Sequence, residues 1–127
     1  MLALASEFAT SFAVEPRSAQ RTFVGALATD NARLLVIEDD QVAGYLLGFL
    51  HDTFYANGPV GWVEELMVNS TYRRRGGGRM LMGEFESWVF GRGGRMVALA
   101  TRRASEFYQA VGYEESATYL RKVLLTK

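Results

Sequence analysis

Three consecutive glycines flanked by arginines, Arg73-Arg74-Arg75-Gly76-Gly77-Gly78-Arg79, constrain this chain more than any other segment. Before them lies a short apolar run, WVEELMV over 62–68, with the length and composition of a strand. After them, Leu81, Phe85, Trp88 and Val89 recur at helical spacing, which predicts a helix over about 76–90. A strand therefore enters a glycine loop that opens a helix. The loop backbone can approach a ligand with no Cβ in the way. The first N–H groups of a helix have no intrahelical partner, and the helix dipole favours negative charge there. Arginine adds forked cationic donors. The combination predicts a pyrophosphate cradle. A solvated Arg run ahead of a flexible loop is the alternative. Two familiar phosphate loops are excluded. The segment has no Lys for a P-loop, and Leu81 breaks the glycine spacing of a dinucleotide fingerprint.

The surrounding pattern predicts a mixed α/β (α+β) sheet with helices on both faces, in one domain spanning 1–127. Leu4, Phe8 and Phe12 recur every four residues as in an amphipathic helix. Glu15-Pro16 reads as a break, and 18–29 as a second helix. Segments 33–38 and 41–50, separated by Asp39-Asp40, read as an antiparallel hairpin. Residues 51–58, including His51, Asp52, Tyr55 and Asn57, read as a polar loop. Gly91, Gly93 and Gly94 close the long helix. Beyond it come a short buried strand over 96–100, a short helix over 104–111 closed by Gly112, and a last strand over 117–125.

Composition removes several chemistries. The sequence has no Cys and a single His, His51, so thiolate ligands, a Cys nucleophile, a His-cluster metal site and a Ser-His-Asp triad are all excluded. With 14 basic and 14 acidic residues, the net charge is zero. Nucleic-acid binders carry an excess of basic charge, so local Arg clusters on a neutral chain point to a small anion. The first fourteen residues have no basic flank and Glu7 interrupts them, which argues against a signal peptide or a membrane span. The expected setting is the cytoplasm. A homodimer is compatible with all of this.

Arg73-x-x-Gly76-x-Gly78 resembles the R/Q-x-x-G-x-G/A signature of GNAT-type N-acetyltransferases. Ala104-Ser-Glu-Phe107-Tyr108-Gln-Ala-Val-Gly112-Tyr113 looks like the second motif of that family, in which a Phe-Tyr pair precedes a glycine-aromatic turn. The two motifs occur in the family's order, with a strand between them. The resemblance implies an acetyl-coenzyme A-dependent N-acetyltransferase, without metal, that moves acetyl to a primary amine by direct attack in a ternary complex. Arg73, Arg74, Arg75, Gly76, Gly77, Gly78 and Arg79 would hold the pyrophosphate. Leu66, Met67 and Val68 would pair with the pantetheine arm like an added strand. A backbone N–H where the two central strands splay would polarise the thioester carbonyl.

The resemblance also implies two catalytic residues. Tyr108 matches the tyrosine near the departing sulfur, where a phenol can donate a proton; its alternative is to pack against Phe107. Glu64 matches a glutamate some members use as general base; its alternative is to pair with an Arg or bind the amine. Strand alternation allows only one of Glu64 and Glu65 to face the cleft. By the same resemblance, the loop carrying His51 borders the acceptor site. Two departures stand out. Thr101 occupies the position where the family often has an Asn that contacts coenzyme A, and the family's usual first strand has no counterpart. The acceptor stays open, with Asp52, Glu64 and Glu65 favouring a small cationic amine. A non-catalytic acyl-coenzyme A-binding module is the competing reading, since it needs the glycine loop but neither Tyr108 nor Glu64.

Overall fold

The computed structural model describes residues 16–39, 41–73 and 75–125. The helix expected around Leu4, Phe8 and Phe12 lies outside them, as does Arg74. The chain runs α1 (Pro16–Ala28), β1 (Ala32–Asp39), β2 (Gln41–Thr53), β3 (Gly58–Val68), α2 (Ser70–Arg73), α3 (Gly77–Gly91), β4 (Val97–Leu99) and α4 (Ser105–Ala110). Pro16 is the first described residue of α1, two residues ahead of the start expected at 18. The first helical position suits proline because its N–H would have no partner there.

One sheet carries the strands in the order β1-β2-β3-β4. The first three are antiparallel, and β4 joins β3 in parallel after the crossover through α3. β2 is buried without interruption from position 43 to 48, as a central strand covered on both faces must be. On one face Leu46, Leu50, Val63 and Val68 meet Leu81, Met82, Phe85 and Val89 of α3. On the other, Leu47, Leu34 and Phe49 pack with Ala26 of α1 and Ala32. The helix α3 lies close to the sheet because glycines make room for its large side chains. A Cβ on Gly48 would stand 2.3 Å from the Phe85 ring, and one on Gly61 would stand 2.4 Å from Val89. The far end of α3 is tied down by Arg92. Its guanidinium donates to the Asp30 carbonyl at 2.7 Å and lies 5.4 Å from the centre of the Trp88 ring.

Two expectations are corrected. Residues 51–58 are half strand and half turn: β2 runs on through Thr53, 54–57 turn, and β3 begins at Gly58. Asn57 takes the left-handed conformation (φ 58°), and the Thr53 hydroxyl donates to the Gly58 carbonyl at 2.8 Å. These local bonds close a tight hairpin that composition alone resembles a loop. The strand expected over 117–125 is absent. Residues 114–125 form neither helix nor strand, and all are exposed. Strand pairing needs a partner edge, and no described strand lies against this segment.

Candidate active site

The site grows out of an irregularity in β3. Leu47 pairs with Glu65 and Gly48 with Val63, so Glu64 is an extra residue with no partner on β2. Val63 and Leu66 both pack into the α3 face, and two residues separate them where alternation would allow one. The bulge therefore turns both Glu64 and Glu65 away from α3, where simple alternation permits only one. Glu65 is held by the Tyr45 hydroxyl, which donates to its carboxylate at 2.6 Å. Tyr45 is 1% exposed, and burial, followed by the Glu65 hydrogen bond and charge, raises its pKa. Glu64 is exposed.

The bulge coincides with the point where the sheet opens. β4 pairs with β3 at Gly61, Trp62 and Val63 only. Beyond Val63↔Leu99 the two strands part, and residues 64–68 of β3, including Leu66, Met67 and Val68, pair with no described strand on that side. An extended ligand can add to this edge by backbone hydrogen bonds.

The glycine loop stands at the end of that open edge. Asn69 turns the chain into α2, its side-chain oxygen accepting from the Tyr72 N–H at 3.1 Å. Arg73 fixes the corner by donating from Nε to the Val68 carbonyl at 2.9 Å, and Arg75 lies 5.3 Å over the Tyr72 ring. Each glycine then has its own reason. Gly76 is left-handed (φ 78°) and faces open space. Gly77 is buried, with a Cβ position 3.0 Å from both Ile37 and Val68. Gly78 lies under the ring of Phe107, 2.9 Å from its Cβ position. The two sequence motifs thus touch each other at Gly78. Gly76 has no side chain to cap the helix, so the first-turn N–H groups of α3 are left directed at the loop. Arg79 contributes its N–H to that set. Its side chain lines a separate cavity of about 530 Å³ between β1 and α3, together with Leu35, Ile37 and Met80.

The second motif builds an aromatic cluster. Tyr108 stacks edge-on with Phe107 (4.9 Å) and with Tyr113 (6.0 Å), and all three pack against the α3 core. Burial pushes the Tyr108 hydroxyl up to about 12, so it keeps its proton at neutral pH. Tyr113 donates to Glu86 of α3 at 2.7 Å, and its pKa is also raised, by burial and then by Glu86. Thr101 accepts from the Ala104 N–H at 3.1 Å and so organises the start of α4.

The fold brings Glu64, Leu66, Met67, Val68, Arg73, Arg75, Gly76, Gly77, Gly78, Arg79 and Tyr108 around one end of the sheet. It does not bring the 51–57 hairpin there. That turn lies at the start of β3, about eight residues and roughly 26 Å from Leu66 at strand rise. Sequence reasoning missed Tyr45 and Glu86. Tyr45 sits in an apolar strand with no local signal, and its partner Glu65 is 20 positions away. Among the described residues no group of His, Cys, Asp or Glu could hold a metal ion, and no helix is long and apolar enough to cross a membrane.

A strand bulge beside an open sheet edge, running into a glycine-opened helix, is the arrangement that the sequence's resemblance to GNAT-type acyltransferases implies. The family model for the Acetyltransferase (GNAT) family matches residues 2–113, and the chain belongs to that family. The fold is similar to glucosamine-6-phosphate N-acetyltransferase from Arabidopsis thaliana, with a TM-score of 0.84 and 19% identity, covering 98% of this chain and 88% of that one. It is also similar to AAC(6')-Iy in complex with the bisubstrate analog CoA-S-monomethyl-acetylneamine, with a TM-score of 0.78, 21% identity, and coverage of 95% and 88%. A transcriptional regulator from Bacillus halodurans C-125 matches with a TM-score of 0.78, 22% identity, and coverage of 86% and 77%. No curated protein matches the chain in sequence. Acetyl-coenzyme A is the acetyl donor of the family.

Proposed function

We propose that this acetyltransferase moves acetyl from acetyl-coenzyme A to a primary amine by direct attack, and that the acceptor is a small cationic amine. The observation that carries this reading is the parting of β3 from β4 at the Glu64 bulge, next to the open N-terminus of α3. The unpaired edge at Leu66, Met67 and Val68 suits the amides of a pantetheine arm, and the N–H groups of Gly76, Gly77, Gly78 and Arg79 suit its pyrophosphate. Bound there, acetyl-coenzyme A supplies an activated thioester. A backbone N–H of the open edge stabilises the oxyanion that develops at the carbonyl. Glu64 accepts the proton that the ammonium must lose before its nitrogen can attack, directly or through water. As the C–N bond forms and the C–S bond breaks, Tyr108 delivers a proton to the sulfur, and the second proton shed by the attacking nitrogen returns through water to the Tyr108 oxygen. Glu64 and Glu65 together give the acceptor side two carboxylates, which favours a cation.

Gly76→Asp tests the cradle. The left-handed backbone strains any side chain here, but Asp is among the residues that adopt it most readily and the Cβ meets nothing within 4 Å, so the fold survives. The carboxylate then stands where phosphate charge would be. Acetyl-coenzyme A affinity measured by calorimetry should fall at least tenfold, with the melting temperature nearly unchanged. Unaltered affinity would remove the cradle from this loop. Turnover across a panel of amines separates the enzyme from a non-catalytic acyl-coenzyme A-binding module.

A further inference from the structure

We propose that Glu86 of α3 is a positioning residue that, acting through Tyr113, fixes the Tyr108 hydroxyl relative to the open edge of β3. The proposal rests on the reading of Tyr108 as proton donor to the sulfur. The element that carries Tyr108 has little of its own to hold it. α4 is six residues long, contains no buried residue and has no side-chain cap at its start. That is far below the length at which an isolated helix holds in water. The strand before it, β4, has three residues. The rings of Phe107, Tyr108 and Tyr113 do pack against the α3 core. Apolar contact has no direction, however, and leaves a ring free to slide over the surface it covers. A hydrogen bond fixes direction as well as distance. Among the described residues, a single hydrogen bond joins the segment 101–113 to another element. The Tyr113 hydroxyl donates to the Glu86 carboxylate at 2.7 Å, across 27 positions of sequence.

Tyr113 passes that restraint on to Tyr108 through the end of α4. Gly112 is left-handed (φ 103°) and reverses the chain. Its N–H donates to the Gln109 carbonyl at 3.1 Å, and the Tyr113 N–H donates to the Tyr108 carbonyl at 2.9 Å. This pair of bonds is a helix-ending motif in which the residue after the glycine also packs on the residue whose carbonyl it caps. The Tyr113 ring accordingly meets the Tyr108 ring edge-on at 6.0 Å. Tyr113 thus grips Tyr108 by backbone and by ring, while its hydroxyl grips α3. The acceptor is a carboxylate, which makes the bond stronger than one between neutral groups. α3 is a firm reference, since Phe85, the neighbour of Glu86, is 0% exposed and lies over Gly48. The same helix presents the N–H groups of the proposed cradle at its start. A proton donor tied to α3 therefore keeps a constant distance from a cofactor tied to α3.

Variants of the full chain carry the test. Glu86→Ala and Tyr113→Phe cut the bond from its two ends, whereas Glu86→Gln keeps an oxygen that can accept it. Misplacing a reacting group by about 1 Å can cost roughly 100-fold. With chemistry rate-limiting, Glu86→Ala and Tyr113→Phe should each lower kcat by about 5- to 50-fold, and by no more than Tyr108→Phe does. The KM for the amine should hold, and Glu86→Gln should stay within about threefold of the native kcat. In a Tyr108→Phe background, Glu86→Ala should cost nothing further, because the group it positions is gone. An equal cost in both backgrounds would make Glu86 a structural residue and overturn the proposal. A second readout needs no turnover. Hydrogen exchange at the Tyr113 amide should quicken at least about tenfold in Glu86→Ala and Tyr113→Phe and keep its native rate in Glu86→Gln. Unchanged exchange in the first two would show that α4 is seated without Glu86 and would also overturn the proposal. Exchange decides the seating whether or not the native chain acetylates an amine, and turnover decides the enzymatic reading, so the two fail separately.

Discussion

Tyr108 and Glu64 show how far a single residue's surroundings decide its chemistry. Burial holds the Tyr108 proton up to about 12, which keeps the hydroxyl protonated at neutral pH and makes it a weaker acid than a free tyrosine. Tyr108→Phe keeps the ring against Phe107 and Tyr113 and removes only the hydroxyl. A thiolate is a good leaving group, so the fall in kcat should sit at the low end for general acid catalysis, roughly 10- to 300-fold. Acetyl-coenzyme A affinity should hold. Full turnover with chemistry rate-limiting would make Tyr108 a packing residue. Glu64→Gln should slow the reaction more at neutral pH than at high pH, where the free amine is already present. Glu65 is committed to the Tyr45 hydroxyl, so Glu65→Gln should leave the shape of the pH profile intact. An equal loss for Glu64→Gln at every pH would make it a binding group.

At the scale of elements, the decisive contact is α3 on the sheet. Gly48 lies under Phe85, a ring that is 0% exposed and packed on all sides. Gly48→Ala asks a Cβ to occupy space 2.3 Å from that ring. The ring has nowhere to turn, so the helix must lift, and stability in urea should fall by about 1–3 kcal/mol. A smaller change would mean that α3 is seated more loosely than the contacts imply. The same close seating sets the height of the helix N-terminus above the open edge of β3, which links core packing to the proposed cradle.

Across the whole molecule, three tyrosines tie the layers together. Tyr45, Tyr108 and Tyr113 all have raised pKa values, from burial first and, for Tyr45 and Tyr113, from a carboxylate partner next. In the unfolded chain they ionise near the ordinary tyrosine value of 10.0. Their native protons are held more tightly, so their contribution to stability is complete below pH 10 and is lost as pH rises through the native values. Denaturant midpoints should be flat with respect to these groups up to about pH 10 and then decline steeply towards pH 12. A triple Tyr-to-Phe variant should lose that alkaline slope. A wild-type midpoint that stays flat to pH 12 would show that the three hydroxyls are more open than their packing indicates.

Local pattern determined a good deal of this protein. The strand–glycine–helix unit at 62–91, the α3 stripe of Leu81, Phe85 and Val89, the mixed sheet and the order of its elements all follow from periodicity and from turn chemistry, which act within a few residues. The GNAT signature at Arg73, Gly76 and Gly78 was readable for the same reason. Tertiary structure decided the rest. The Glu64 bulge needs the register of β2 against β3, which no alternation along one strand contains. The separate duties of Gly76, Gly77 and Gly78 depend on Ile37, Val68 and Phe107, brought from three other elements. The pairing of Tyr45 with Glu65 spans 20 positions, and that of Tyr113 with Glu86 spans 27. The segment 117–125 has a strand's composition and no strand's partner, because a hydrogen-bonded ladder is a property of two edges and a sequence describes only one.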